Sequence, residues 1–439
     1  MRRYLAIDIG ASSGRHILGS LRDGAIVLEE IHRFDNGMTE RGGAQCWDIG
    51  ALVAEVKAGL AKCAAPESFG VDTWGVDFVL LDADGQLLGD AVAYRDSRTG
   101  GMDAEVEKIV PLSEHYARTG IQKQIYNTVY QLTALKRKNP ALLEQAARLL
   151  LMPDYLHYRL SGEKRTEYTH ASTTGLVSAI TRDWDWELIE RLGFPRRLFL
   201  PVTHGLTPSH DTAGAFLAVP AKDENAVCIS SGTWSLLGIL SDAPILTEAA
   251  REAGFTNEGG YGGKYRFIKN IMGLWMVRSV RDELPDKPSY AVLERQARQS
   301  GYNGLVSVND AAFFAPESMS RAVAQKCAEA GYPPPGGTGD VLRCVYRSLA
   351  REYADSVREL ETLAGKRYTS ISIIGGGSKD SFLNELTAKA SGLPVYAGPT
   401  EGTAIGNIVS QMLRSGELPD IQTAREVIRN SFAVREFPP

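Results

Sequence analysis

The chain has 439 residues, of which 44% are hydrophobic and 23% charged, and its formal net charge is −5. That length exceeds one ordinary core, so two large domains are expected. The acidic balance argues against a nucleic-acid partner, and no apolar run approaches the roughly 18 residues of a membrane span.

Five scattered cysteines without C-x-x-C spacing and seven scattered histidines offer no zinc site. With no targeting pattern ahead of the first strand, a cytoplasmic protein is expected.

Tyr4–Gly10 is a near-continuous apolar run broken only by Asp8, as in a strand buried on both faces. A carboxylate there is costly unless something positive meets it, and a bound magnesium ion would serve. Gly10 and Gly14 favour a tight turn whose backbone N–H groups converge, Ser12 and Ser13 add hydroxyl donors, and Arg15 adds a cation. A hairpin with a satisfied aspartate is the plainer alternative. Residues 16–34 read as two strands around Asp23-Gly24, and 48–63 as a helix capped by Asp48.

Ser68–Asp82 reads as a second apolar strand carrying Asp72, Thr73 and Asp77 around Trp74-Gly75. A flat aromatic wall, close backbone approach and carboxylates suit a sugar, and a core tryptophan explains the pattern equally. Arg95, Asp96 and Arg98 form a charged turn or a polar clamp beside such a pocket. Helical patterns fill much of 102–193, with Gly120, Gly162 and Gly193 as stops. His210, Asp211 and Thr212 follow a proline-bounded loop and precede an apolar run, which makes Asp211 either a proton acceptor or a helix cap.

Residues 226–240 repeat the opening, an apolar strand into Ser-Ser-Gly-Thr and a further strand. Two such units half a chain apart suggest a duplicated domain, with the joint at Pro220–Asn225. Asn257–Leu284 reads as glycine-rich turn, strand and helix, and 340–363 as a long helix. At 368–392 a strand delivers Gly375, Gly376 and Gly377 to a helix start, which suits a flat ring and anionic groups. There is no P-loop and no G-x-G-x-x-G opening a helix.

Ten stretches in order carry a resemblance: 8–15, 30–37, 72–82, 93–98, 150–162, 209–213, 230–236, 256–260, 269–275 and 397–407. The sequence resembles the FGGY carbohydrate kinases of the actin-like ATPase superfamily, closest to members that act on L-rhamnulose. The resemblance implies an α/β protein of two ribonuclease-H-like domains, 1–222 and 223–439, with an interdomain cleft and the last helix packing back on the N-terminal domain. It implies ATP and Mg2+ as cofactors, transfer to the sugar 1-hydroxyl, and a monomer or homodimer. Asp211 would be the general base. Asp8 would hold the metal through water. Ala11, Ser12, Ser13, Gly14, Arg15, Thr233, Arg278 and Gly376 would contact ATP. Gly75, His210, Asp211, Thr212 and Asn270 would line the sugar site, with Asp77, Arg95, Asp96 and Arg98 nearby.

Three departures stand out. Arg278 replaces a usual glutamine, the 200–209 loop lacks about twenty residues and could displace Asp211, and Cys327 and Cys344 occupy positions where a relative can carry a cysteine pair. Other ketoses (L-fuculose or a ketopentose) and a catalytically impaired sugar- and nucleotide-binding relative are the alternatives.

Overall fold

In the computed structural model, which describes residues 1–439, β1 (Tyr4–Ile9) is buried at every position, as a run with no polar face must be. Asp23 and Gly24, both at positive φ, join β2 (Ser13–Arg22) to β3 (Ala25–Asp35). Asp48 caps α1 (Ile49–Ala61) by accepting from the Ala51 N–H. The stretch 68–82 is two strands rather than one, β4 (Ser68–Thr73) and β5 (Phe78–Leu81). Between them Val76 holds a φ of 71°, a costly conformation for a β-branched residue. Left-handed Gly162 ends α2 (Met152–Ser161), and α3 (Asp211–Leu217) follows the shortened loop.

The second half reopens with β6 (Ala226–Ser231) and β7 (Trp234–Ser241). β8 (Phe255–Gly259) takes in Asn257–Gly259, which is strand rather than the turn expected there, and β9 (Tyr265–Met272) leads into α4 (Trp275–Glu283). The long helix α5 (Thr338–Ala364) buries Val341, Leu342, Val345, Leu349, Tyr353, Val357 and Leu360 at helical spacing. β10 (Ser370–Ile374) passes through a short 3-10 segment at Gly376–Lys379 into α6 (Ser381–Ser391). β11 (Val395–Ala397), α7 (Gly402–Arg414), α8 (Ile421–Ser431) and β12 (Arg435–Phe437) complete the chain.

Two compact units result. The first contains Met1–Ala218, Leu240–Phe267 and Thr403–Ser431, and the second Val219–Ile239, Ile268–Gly402 and Phe432–Pro439. The chain first changes unit at Val219 and returns twice.

In the first unit the sheet order is β3-β2-β1-β4, with β1 antiparallel to β2 and parallel to β4. Helix α7 lies close on this sheet: Gln411 Nε2 donates to Leu5 O at 3.0 Å, and a Cβ on Gly19 would come 2.7 Å from Ile408. The outer edge of β4 meets only an isolated parallel bridge between Thr73 and His210. Beside it is a cavity of about 450 Å³ lined by Ser68, Phe69, His157, Glu167, Thr207 and Gln411. In the second unit the strands run β7-β6-β10-β11-β12. β6 is antiparallel to β7 and parallel to β10, which repeats the arrangement of β1 with β2 and β4.

Candidate active site

Parallel strands covered on both faces can show polar groups only at their ends. In the first unit β1 and β4 end side by side, with Asp8 opposite Asp72 and Ile9 opposite Thr73. The turn leaving β1 is closed by Gly10 N–H donating to Ser13 O at 2.9 Å, and Asn36 Nδ2 donates to Gly10 O at 2.8 Å. Ala11 is half-buried and Ser12 exposed, so the turn is open to an anion. Neither Gly10 nor Gly14 has positive φ. Gly14 is required for space, because a Cβ there would lie 2.1 Å from Phe34 Cζ. Arg15 Nη2 donates to Asp8 Oδ2 at 2.7 Å, so this cation meets the carboxylate of its own neighbouring strand.

Asp72 is fully buried. Asn407 Nδ2 donates to its Oδ2 at 2.5 Å, while its Oδ1 is buried without a hydrogen-bond partner. Burial and the Asp8 carboxylate push the Asp72 pKa well above the ordinary carboxylate value. No three histidine, cysteine or carboxylate side chains converge on one point as direct metal ligands. The donors present, Asp8 engaged by Arg15 and the orphaned Asp72 Oδ1, fit an ion that keeps its own water shell.

Asp211 is the first residue of α3, and His210 is the N-cap. Despite the short 200–209 loop, Thr73 N–H donates to Ser209 O at 2.9 Å and holds this helix start against β4. The Asp211 side chain keeps 29% of its surface exposed. Burial and the Asp8 carboxylate raise its pKa, against the pull of His210, the Thr212 N–H and Arg266. Gly75 brings backbone up to His210, since a Cβ would stand 3.1 Å from His210 Nε2.

Of the other polar residues of this region, Asp77 and Arg98 turn inward. Asp77 Oδ2 accepts from Trp47 Nε1 at 2.6 Å, Trp74 Nε1 at 2.9 Å and Tyr94 N–H at 3.1 Å, and Gln131 Nε2 donates to Oδ1 at 3.0 Å. Its acceptors are consumed by the core, and Trp74 is a buried partner of Trp47 rather than an open wall. Arg98 Nη2 donates to Gln131 Oε1 at 2.5 Å, and its Nη1 is buried without a partner. Asp96 caps a short 3-10 turn through the Arg98 N–H, and Arg95 is exposed over the Tyr94 ring.

In the second unit Thr233 is exposed in the β6–β7 turn, packed by Gly273, where a Cβ would meet Thr233 O at 2.8 Å. Gly377 lies against Ser231, whose Oγ would be 2.0 Å from an added Cβ, while Gly376 faces open space. Asn270 on β9 is half-buried. Arg278 on α4 is exposed, its nearest charged neighbour Asp282 at 3.7 Å. Cys327 and Cys344 are buried free thiols, their sulfurs 3.5 Å apart.

Four polar residues of the first-unit site went unassigned in the sequence. Asp72 was read only as one of the carboxylates suited to a sugar, its place beside Asp8 being set by the strand register, and Glu258 sat inside the 256–260 stretch. Arg266 and Asn407 had no local cue, because their partners Thr212 and Asp72 are 54 and 335 residues away.

Comparison with known proteins agrees with this geometry. The model for the N-terminal domain of the FGGY family of carbohydrate kinases matches residues 3–222, and that for its C-terminal domain matches 227–415. A rhamnulokinase from Halalkalibacterium halodurans is 43% identical over 463 positions, covering 100% of this chain and 99% of that protein. Those positions outnumber the 439 residues here by at least 24, which fall opposite gaps in this chain. A rhamnulokinase from Yersinia pestis is 41% identical, covering 99% of this chain and 95% of that protein. Among solved structures, xylulose kinase from Lactobacillus acidophilus superposes with a TM-score of 0.82 at 15% identity, covering 100% of this chain and 94% of that one. Plasmodium falciparum glycerol kinase with ADP gives 0.76 at 15%, covering 99% and 94%. The chain belongs to the FGGY family of carbohydrate kinases.

Proposed function

We propose that this chain is a cytoplasmic ATP-dependent kinase that transfers the γ-phosphoryl group to the 1-hydroxyl of L-rhamnulose. The relatives named rhamnulokinase, matched over nearly their whole length, support the substrate. The observation that carries the chemistry is Asp211, a carboxylate with raised pKa, part-exposed at a helix start beside Asp8. A base whose pKa moves towards the working pH takes a hydroxyl proton more effectively.

Asp211 accepts the proton of the attacking hydroxyl, and His210, Thr212 and Gly75 orient the sugar. The turn at 11–15 with Arg15 donates to phosphate oxygens, and in the second unit Thr233 does the same while Asn270 and the exposed Gly376 take sugar and adenosine. Arg278 is exposed and able to swing to the nucleotide. Asp8 and Asp72 would hold a hydrated Mg2+, which when bound neutralises charge on the transferring phosphate. Positioning and charge neutralisation carry most of such a reaction.

ADP release with magnesium over L-rhamnulose, L-fuculose and ketopentoses tests the reading, using wild type and Asp211→Asn. Preference for L-rhamnulose and a fall in kcat of about 10²–10⁴ in the variant, with sugar affinity kept, is expected. Equal turnover of all ketoses would overturn the substrate, and an active Asp211→Asn enzyme would overturn the base.

A further inference from the structure

Arg266 has no solvent exposure, yet it stands directly behind the residues proposed to orient the sugar. Its Nε donates to Gly259 O at 2.8 Å and its Nη1 to Thr212 Oγ1. Its Nη2 reaches His210 Nδ1 at 2.9 Å and Glu258 Oε2 at 3.0 Å. Burial raises the Glu258 pKa, but the Arg266 guanidinium outweighs it and holds this carboxyl below its ordinary value, so the guanidinium keeps a permanent counter-ion.

A guanidinium has five N–H donors and no acceptor. His210 Nδ1 must therefore accept, which leaves the imidazole neutral with its proton on Nε2. That nitrogen lies 3.4 Å from Asp211 Oδ1 and faces the backbone at Gly75. The same reasoning holds at Thr212. Its oxygen accepts from Arg266 and lies 3.4 Å from both ring nitrogens of His210, a long contact that a ligand oxygen can replace as acceptor of the hydroxyl hydrogen.

We propose that Arg266, with Glu258 as its counter-ion, is a specificity-determining positioning residue that fixes His210 and Thr212 as hydrogen-bond donors beside the Asp211 acceptor. The site then takes substrates that carry an oxygen acceptor on the carbon next to the reacting hydroxyl, as a 1-hydroxy-2-ketose does. An aldehyde, ketone or hydroxyl oxygen there is bound, and a methylene there leaves the buried His210 and half-buried Thr212 donors with only their long 3.4 Å contacts inside the protein. This inference rests on the reading of Asp211 as the base.

The test uses Arg266→Met combined with Glu258→Gln, which removes the buried pair together and leaves no unpaired charge, and Arg266→Lys as the conservative variant. In ¹⁵N-histidine-labelled protein, with His210 assigned by His210→Asn, the wild type should show Nδ1 bare and Nε2 protonated. The double variant should show a mixture of tautomers. Its KM for the ketose should rise about tenfold or more while kcat changes less, and Arg266→Lys should recover part of the loss. Wild type should discriminate against the 2-deoxy polyol, and the double variant should not.

A folded double variant that keeps the Nε2–H tautomer, or that keeps both the ketose KM and the discrimination, overturns the inference. Failure of the base reading is separate. It would show as turnover by Asp211→Asn, with the tautomer and the sugar affinity unmoved.

Discussion

The two units begin alike and end differently. Beyond β10 the second sheet continues through β11 and β12 by backbone pairing, Ile371–Ile373 against Val395–Ala397 and these against Arg435–Phe437. Beyond β4 the first sheet stops at one bridge, and side chains hold the edge instead. Glu167 Oε2 accepts from Ser209 N–H at 3.2 Å and Ser209 Oγ–H at 2.7 Å, Thr169 Oγ1 accepts from His210 N–H at 3.3 Å, and Val71 N–H donates to His157 Nε2 at 3.3 Å. A ladder spreads its stability over many small contributions. A side-chain anchor concentrates it in one carboxylate, here the one that holds the helix start bearing Asp211.

The sharpest way to break this comparison is Glu167→Ala. It strips partners from buried donors on Ser209 and Thr169, each worth about 1–3 kcal/mol when left unmet. Urea unfolding should show a loss of about 3 kcal/mol or more, and kcat should fall about a hundredfold as Asp211 shifts. Tyr396→Ala, in the laddered strand of the second unit, should cost under about 1 kcal/mol. Equal losses at the two positions would show that the edges are held in the same way.

The same contrast explains what could be read from the sequence. Elements fixed by local pattern were legible: the buried β1, the Asp23-Gly24 hairpin, the Asp48 cap and the long helix over 340–363, observed at Thr338–Ala364. The place of Asp211 at a helix start was legible because it follows a loop and opens an apolar run, although the cap itself is His210. The roles of Asp77 and Trp74 were not, since a carboxylate beside an indole reads alike whether it faces a sugar or, as here, bonds two core indoles. Arg266 and Asn407 depend on chain segments that return to the first unit late, and no local spacing announces that.

The returning helix α7 supplies the next test. A Cβ on Gly406 would stand 1.8 Å from Gly214 O, so the backbones of α7 and α3 touch there. Gly406→Ala should destabilise by about 1–3 kcal/mol through overpacking, despite the better helix propensity of alanine. Gly376→Ala in the second unit meets nothing within 4 Å. It should change stability by no more than about 0.5 kcal/mol while raising the KM for ATP, if adenosine lies on that turn. A normal KM would remove Gly376 from the nucleotide site, and a stable Gly406→Ala protein would remove the close helix contact.

A pH-dependent effect comes from a cost that only a side-chain edge carries. Asp154 is buried in α2 and accepts from the Glu167 N–H at 3.2 Å. Burial first, then the neighbouring Glu167 carboxylate, push its pKa well above the ordinary 3.8. The folded chain thus keeps a proton that the unfolded chain releases from about pH 4 upward. Any stability tied to that proton is complete below 3.8 and is lost as pH rises through the folded value, by at most about 1.4 kcal/mol per pH unit. Asparagine at this position cannot ionise and still accepts from the Glu167 N–H. Asp154→Asn should therefore match wild type near pH 4 and exceed it by a gap that widens with pH and then levels off at the folded pKa. Urea midpoints at pH 4, 6 and 8 read this directly. A gap independent of pH would mean that Asp154 does not hold its proton, and that the carboxyl-anchored edge carries no more electrostatic strain than the ladder of the second unit.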